Sequence, residues 1–151
     1  MSQRFGDLEL VLPPKWTDQS VLTFVRPSDR PAGVAGAPDL QRNFVVVRAP
    51  ADGTFGISDL ARQHLASLQA AIPKIEVLKE SEETIDGAPA LLREVRFPTP
   101  GHGLAQQLHV FLIHGDQAFT MVGTGSAGLV FDGLRKELLL LVRSFRRLTA
   151  T

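Results

Sequence analysis

The sequence contains no cysteine and no tyrosine, and tryptophan occurs once among its 151 residues. Without cysteine the chain cannot form disulfides, use a thiolate nucleophile or bind zinc or iron–sulfur clusters through sulfur. With so few large polar aromatics, base-stacking platforms and aromatic cages for cations are also disfavoured. These absences exclude several classes of enzyme and cofactor protein before any motif is considered.

An excess of charge of one sign is also absent, because 16 Lys and Arg residues balance 16 Asp and Glu residues. Proteins that bind nucleic acid or anionic membranes normally carry a basic excess. The longest aliphatic run, Leu138 to Val142, is five residues against the roughly 20 that span a membrane. With no targeting or lipidation signal visible, we expect a soluble cytoplasmic protein that forms a single domain over residues 1–151.

Hydrophobic periodicity predicts a mixed fold of strands and helices. Alternating residues indicate half-buried strands, and spacings of three and four over Ile57 to Ile72 indicate an amphipathic helix with Ser58 as its N-cap. The turn dipeptides Asp86-Gly87 and Gly115-Asp116 predict two hairpins. We therefore expect an α+β domain with a mostly antiparallel, twisted sheet of about six to seven strands and two main helices. The predicted strands are Phe5–Leu12, Ser20–Arg26, Asn43–Ala49, Lys74–Thr84, Ala88–Phe97, Leu104–His114 and Gln117–Gly123, and the second helix is striped by apolar residues from Phe131 to Leu148.

Several segments are apolar on both sides, which is unusual for a sheet covered on one face. Examples are the Val45 to Val47 run, the Val110 to Ile113 run and the wide apolar stripe of the last helix. Such a surplus is more often core than binding surface, but it also suits a dimer interface or a groove for a partner. Residues 27–42 form a long loop rich in Pro and Gly, which can be functional or mobile.

The most conspicuous motif, Gly123 to Gly128, fits the G-x-G-x-x-G dinucleotide fingerprint and stands between a strand and a helix. Only 23 residues follow it, however, which leaves no room for a second parallel strand with a ribose-binding acid. We therefore interpret it as a strand-to-helix turn with Ser126 available for capping, and we expect no bound cofactor.

Catalytic and metal-binding groups are equally poorly supported. His109 and His114 differ by an odd number on one strand, so they point to opposite faces. No serine stands in a G-x-S-x-G elbow, and the acidic residues from Glu80 to Asp86 are typical of a solvated hairpin edge. The sequence thus predicts no metal site, no catalytic residue and no enzyme.

The opening segment resembles that of the DcrB-related proteins. Leu12-Pro13-Pro14-Lys15-Trp16-Thr17-Asp18-Gln19-Ser20-Val21 fits their pattern L-P-x-x-W-x-D-x-[ST]-V, and the element order is similar over nearly the whole chain. The resemblance implies the PsbP/Mog-like fold. Short, cysteine-free members are similar to the Eag chaperones of type VI secretion. Those chaperones, usually homodimers, hold the N-terminal transmembrane helices of a toxin effector in a hydrophobic groove before export.

The resemblance therefore implies a non-catalytic chaperone or adaptor that keeps a secreted effector soluble, without binding nucleic acid or inserting into the membrane. An interaction module of the same fold with a different soluble client is the alternative. A groove that holds apolar helices would be lined by apolar side chains of the strands and of the first helix. The expected client-binding residues are Leu22, Phe24, Phe44, Val46, Leu65, Leu68, Leu108, Val110 and Leu112.

Overall fold

A computed structural model describes residues 2–5, 8–11, 13–16, 21–27 and 40–148. Most of the predicted long loop lies outside these residues. These residues form eight strands and two helices, in the order β1 to β4, α1, β5 to β8, α2. Their bounds are β1 Ser2–Phe5, β2 Leu8–Val11, β3 Val21–Arg26, β4 Arg42–Pro50, α1 Ile57–Ala71, β5 Glu76–Ile85, β6 Ala88–Thr99, β7 Gly103–His114, β8 Gln117–Ser126 and α2 Leu129–Arg143.

Six strands form one antiparallel sheet in the order β3-β4-β8-β7-β6-β5, which confirms the predicted α+β class. The prediction of one continuous strand over residues 5–12 was wrong. Two short strands, β1 and β2, pair with each other, with Phe5 opposite Leu8, and form a separate two-stranded sheet. The alternating pattern did not reveal two strands, because its leucines all follow residue 7 and Phe5 was the only residue of β1 within the predicted strand.

Helix α2 covers one face of the sheet and completes the main core. Phe131, Leu134, Leu138 and Val142 of α2 are buried against β6, β7 and β8. Burying side chains of this size is worth about 1.5–3 kcal/mol each. The main core therefore lies between α2 and the central strands.

The glycine motif begins within β8 and ends in the expected strand-to-helix turn at Ala127 and Gly128, and its first two glycines have a packing role. Gly123 and Gly125 lie within β8 beneath α2, and a Cβ on Gly125 would approach Leu134 Cδ2 at 2.7 Å. Ser126 does not cap the helix; its hydroxyl oxygen accepts a hydrogen bond from the Leu40 backbone N–H at 3.2 Å. These two glycines allow α2 to approach β8 closely. This packing accounts for their presence in the motif without a role in nucleotide binding.

Helix α1 lies on the opposite face, over β6 and β7, where Ala61 and His64 face the sheet. The helix begins after Gly56 rather than after the predicted cap Ser58. The Asp59 carboxylate accepts a hydrogen bond from the Gly56 N–H at 3.0 Å and so stabilises the first turn. Neither α1 nor α2, the helices of the described chain, is long and apolar enough to cross a membrane.

Candidate functional site

Strand β3 is apolar on both faces and exposed on both faces. Val21, Leu22, Phe24 and Val25 have exposed fractions of 57, 45, 56 and 49%. Leu22 and Phe24 lie opposite Val46 and Phe44 of β4, on the α2 side of the sheet, while Val21 and Val25 project from the α1 side. Helix α1 packs over β6 and β7 and does not reach this part of the sheet. An apolar strand left exposed in this way is typical of a binding surface.

An apolar groove lies beside β3, between this strand and helix α2. Its volume is about 270 Å³, below the 300–1,000 Å³ typical of sites that enclose small molecules. The ring of Phe24 lies 6.5 Å from that of Phe44, which is buried at the floor. The apolar lining consists of Phe24, Val25, Pro27, Phe44, Leu134, Leu138 and Leu141.

The rim of the groove is polar and connects β3 to α2, and the residue after β3 to β4. The Arg26 guanidinium forms an ion pair with Glu137 of α2 at 2.8 Å, and Arg42 donates a hydrogen bond to the Pro27 carbonyl at 2.8 Å. An apolar floor with a charged rim is the usual anatomy of a protein–protein interface. Among the described residues, those that line the groove include no Ser, Thr or His, and so supply neither a hydroxyl nucleophile nor an imidazole base.

Only some of the expected client-binding residues come together at this groove. Leu22 and Phe24 are exposed beside it, Phe44 forms its floor, and Val46 is half-buried against the main core. Leu65 and Leu68 are half-buried on α1, on the other side of the sheet.

The other three expected residues need a correction. Leu108, Val110 and Leu112 of β7 are buried in the core beneath α2, with exposed fractions of 4% or less, and offer no surface to a client. The reason is the strand order. Strand β7 is central and covered by a helix on each face, whereas β3 lies at the edge. The sequence does not distinguish the two strands, because β3 and β7 both contain alternating apolar residues.

Sequence reasoning missed the contribution of α2 to the groove. Leu134, Leu138 and Leu141 are spaced by four and three residues and line its helical wall, and Leu141 is 46% exposed. The signal was the unusually wide apolar stripe of the last helix, since a narrower stripe would suffice for the core alone. Val25 was also missed; it borders the groove although its side chain projects from the α1 side of the sheet, so the strand backbone rather than the side chain adjoins the groove.

A buried polar cluster lies elsewhere, between α1 and the sheet. The rings of His64 and His109 are 4.7 Å apart, and His109 Nε2 lies 2.8 Å from the Gln107 side-chain oxygen. Arg93 is also buried there and donates hydrogen bonds to the Ala61 carbonyl and the Glu80 carboxylate, both at 2.9 Å. The Nδ1 atoms of both histidines are buried and have no hydrogen-bond partner in the described part of the chain.

The surroundings of this cluster keep both imidazoles uncharged. Burial, with the neighbouring His64 and Arg93, lowers the pKa of His109 to about 3, and burial and Arg93 lower the pKa of His64. Both rings are therefore neutral near pH 7. Within the described ranges no group of three or more His, Cys, Asp or Glu side chains could hold a metal ion. The cluster packs α1 onto the sheet.

Comparison with known proteins supports the fold. Residues 7–143 match the model of the DcrB family. PA94 from Pseudomonas aeruginosa, a protein of unknown function, has a similar structure, with a TM-score of 0.78, 18% identity, and coverage of 99% of this chain and 98% of that one. Cyanobacterial PsbP (CyanoP) from Synechocystis sp. PCC 6803 is similar with a TM-score of 0.51, 13% identity, and coverage of 89% and 96%. No curated protein matches the sequence.

Proposed function

Because the chain belongs to the DcrB family and has an exposed apolar strand beside an apolar groove, we propose that it is a non-catalytic protein that binds apolar helices. The clients are the N-terminal transmembrane helices of a secreted toxin effector, which the protein keeps soluble in the cytoplasm for loading onto a type VI secretion apparatus. The single observation that carries the proposal is the exposure of Leu22 and Phe24 next to the groove.

The shape of the groove supports a helix as the occupant. One wall is α2, whose Leu134, Leu138 and Leu141 form an apolar row along its axis. A client helix lying beside α2 at the usual interaxial distance of about 8–10 Å could place its own i, i+3 and i+4 side chains between this row and Phe24. Each client side chain that is covered in this way is removed from water, which opposes aggregation.

The charged rim supports a client whose apolar, bilayer-spanning segment lies in the groove while its polar flanking residues stay outside. Arg26 and Glu137 already neutralise each other across the rim, so an uncharged helix can lie on the floor without leaving either charge without a partner. A client with buried charges would have to compete with this pair.

The test is co-expression with a hairpin of two apolar helices of about 20 residues each, followed by size-exclusion chromatography with light scattering. We expect a soluble complex of defined mass with the natural sequence. The variant Leu22→Glu/Phe24→Glu is expected to lose the complex, because it places two charges against the apolar groove.

A matched control carries Leu129→Glu/Leu148→Glu, since these leucines are each 89% exposed and do not line the groove. This control is expected to bind the hairpin normally, and both double variants are expected to unfold cooperatively. A hairpin that aggregates equally with and without the protein would overturn the helix-chaperone proposal. Capture of a soluble protein, but not of the hairpin, through Leu22 and Phe24 would favour the interaction module instead.

A further inference from the structure

The two helices are attached to the sheet by different kinds of contact. Helix α2 buries Phe131, Leu134, Leu138 and Val142 in the main core, whereas the one buried residue of α1 is Ala61. An element with few buried apolar contacts can open locally while the rest of the domain stays folded. Helix α1 is therefore the more easily released of the two helices.

The contacts between α1 and the sheet are made by aromatic and polar groups. The ring of His64 lies edge to face against two rings of β7, at 4.7 Å from His109 and 5.2 Å from Phe111 between centroids. The buried Arg93 guanidinium lies 5.3 Å from the centre of the Phe111 ring and donates a hydrogen bond to the Ala61 carbonyl at 2.9 Å. The attachment of α1 therefore depends on the charge state of two imidazoles beside a fixed cation.

The hydrogen bond of His109 determines which of its nitrogen atoms can take up a proton. Nε2 lies 2.8 Å from the Gln107 side-chain oxygen, which can only accept, so Nε2 carries the hydrogen. The Gln107 amide nitrogen lies 3.1 Å from the Thr124 hydroxyl, in agreement with this orientation of the amide. The proton must therefore add at Nδ1, which is buried and has no hydrogen-bond partner among the described residues. The result is a buried cation with an unpaired N–H, which is costly.

The charged groups around the two imidazoles do not offset this cost. Those in the neighbouring turns of α1 and on the facing parts of β5 and β6 are Asp59, Arg62, Glu80, Glu82 and Arg93. Asp59 and Arg62 form an ion pair with each other. Glu80 is paired with Arg93 at 2.9 Å, and Glu82 is exposed to solvent. A protonated imidazole would thus lie beside the buried guanidinium, and burial together with Arg93 lowers the pKa of both histidines.

We propose that α1 is a proton-released element: when His64 and His109 take up protons, α1 leaves the sheet while the sheet and α2 stay folded. Near pH 7 the neutral rings hold the helix in place. Acid favours the undocked state because both rings are then exposed to water, which solvates their charges. This inference does not depend on the helix-binding function proposed above.

Release of α1 would change the surface of the protein. Phe111 is completely buried, and it lies in one cross-strand row with Thr120, Val47 and Val21 on the α1 side of the sheet. Val21 and Val47 are already exposed in that row. Undocking would therefore join Phe111 to the apolar surface of β3 and β4. Protonation would control how much apolar surface this side of the sheet presents.

The test is native-state hydrogen exchange of the full chain between pH 7 and pH 4, read by mass spectrometry and corrected for the intrinsic pH dependence of exchange. We expect the amides of residues 57–71 to be less protected than those of residues 129–143 at every pH. Below about pH 6, the protection of α1 is expected to fall about tenfold per pH unit for each proton taken up. Equal protection of the two helices at every pH, or protection of α1 that does not change with pH, would overturn the proposal.

A variant without the two titrating groups tests their role. His64→Phe/His109→Gln keeps a ring on α1 and a hydrogen-bonding group on β7, but neither new side chain can be protonated. The pH dependence of α1 protection is expected to disappear in this variant, while α1 stays less protected than α2. A pH dependence as steep as that of the natural chain would show that other groups release the helix, and the proposal would be wrong.

A control variant separates local release of α1 from global unfolding. Leu108→Ala weakens the core on the α2 side of the sheet, where Leu108 is buried. It is expected to lower the protection of α2 at least tenfold and to leave that of α1 unchanged, because α1 exchanges without opening that core. A loss of protection by the same factor in both helices would mean that α1 opens only when the whole domain unfolds.

Discussion

The imidazole rings of His64 and His109 meet edge to face, with centroids 4.7 Å apart, in the interface between helix α1 and strand β7. The charged groups nearby are Arg93 of β6 and its partner Glu80 of β5. Protonation of either ring would therefore place a new cation beside a buried guanidinium. Since both histidines have a lowered pKa in the folded protein, the unfolded chain binds more protons at acid pH.

We predict that the free energy of unfolding is independent of these histidines above about pH 6.5 and falls as the pH decreases below that value. For His109, with a folded pKa of about 3, the loss approaches about 1.4 kcal/mol per pH unit between pH 6 and pH 4. Urea unfolding as a function of pH measures this slope. His109→Gln is expected to flatten it, and a slope as steep in this variant as in the natural chain would contradict the assignment.

A second prediction concerns the close approach of β8 to α2. Gly123→Ala is expected to cost about 1–3 kcal/mol of stability, because the new Cβ would overlap the side chain of Leu138. Gly133→Ala, in α2, is the control; a Cβ added there meets no other heavy atom within 4 Å, and we expect a gain of about 0.5–1 kcal/mol. Denaturant unfolding measures both changes.

The same contact predicts a coupling between two positions. Leu138→Ala alone is expected to cost about 2–5 kcal/mol, because it leaves a cavity in the core. Combined with Gly123→Ala, its cost is expected to be smaller than the sum of the two single effects, since the added methyl occupies part of that cavity. Strict additivity would show that the two side chains do not meet.

A third prediction distinguishes the core from the candidate binding surface. Leu108→Ala is expected to destabilise the protein by about 2–5 kcal/mol, because Leu108 is buried. Leu22→Ala is expected to change stability by less than about 0.5 kcal/mol, because its side chain is exposed at the sheet edge. Equal losses for the two leucines would mean that β3 is covered within the folded chain and cannot be a client surface.

A fourth prediction concerns the segment after α2. Arg147 donates hydrogen bonds to the His114 carbonyl at 2.7 Å and to the Asp116 carboxylate at 2.8 Å, and this holds the pKa of Asp116 below its usual range. Arg147→Met is expected to raise the pKa of Asp116 towards the ordinary value, as measured by carboxyl NMR titration. Asp52, whose pKa is lowered mainly by Thr54, is the internal control and is expected not to change.

Local structure was largely predictable from the sequence, since it depends on near neighbours. Asp86 and Gly87 both have positive φ angles, as the predicted hairpin turn between β5 and β6 requires. Residues Ile57–Ala71 form the predicted helix, and its end before Pro73 follows from the missing proline N–H. Two local predictions failed: the paired strands β1 and β2 were predicted as one strand, and α1 begins after Gly56 rather than after Ser58.

The candidate site was only partly predictable. Leu22 and Phe24 were expected to bind a client and are exposed at the edge of the sheet, whereas Leu108 and Val110 were expected to do the same and are buried. These four residues have the same apolar alternation. The difference is that β7 has a strand on each side and a helix on each face, while β3 has a strand on one side only among the described parts of the chain.

What the sequence by itself determined was both helices and the six strands of the main sheet, because alternation, helical spacing and turn residues act over a few neighbouring positions. Only the tertiary structure decided which apolar strand is central and which is an edge, because strand order depends on pairing between distant segments. Strand β4 pairs with β8 some seventy residues later in the chain, and that pairing leaves β3 at the edge of the sheet. The groove beside β3 exists because of that long-range pairing.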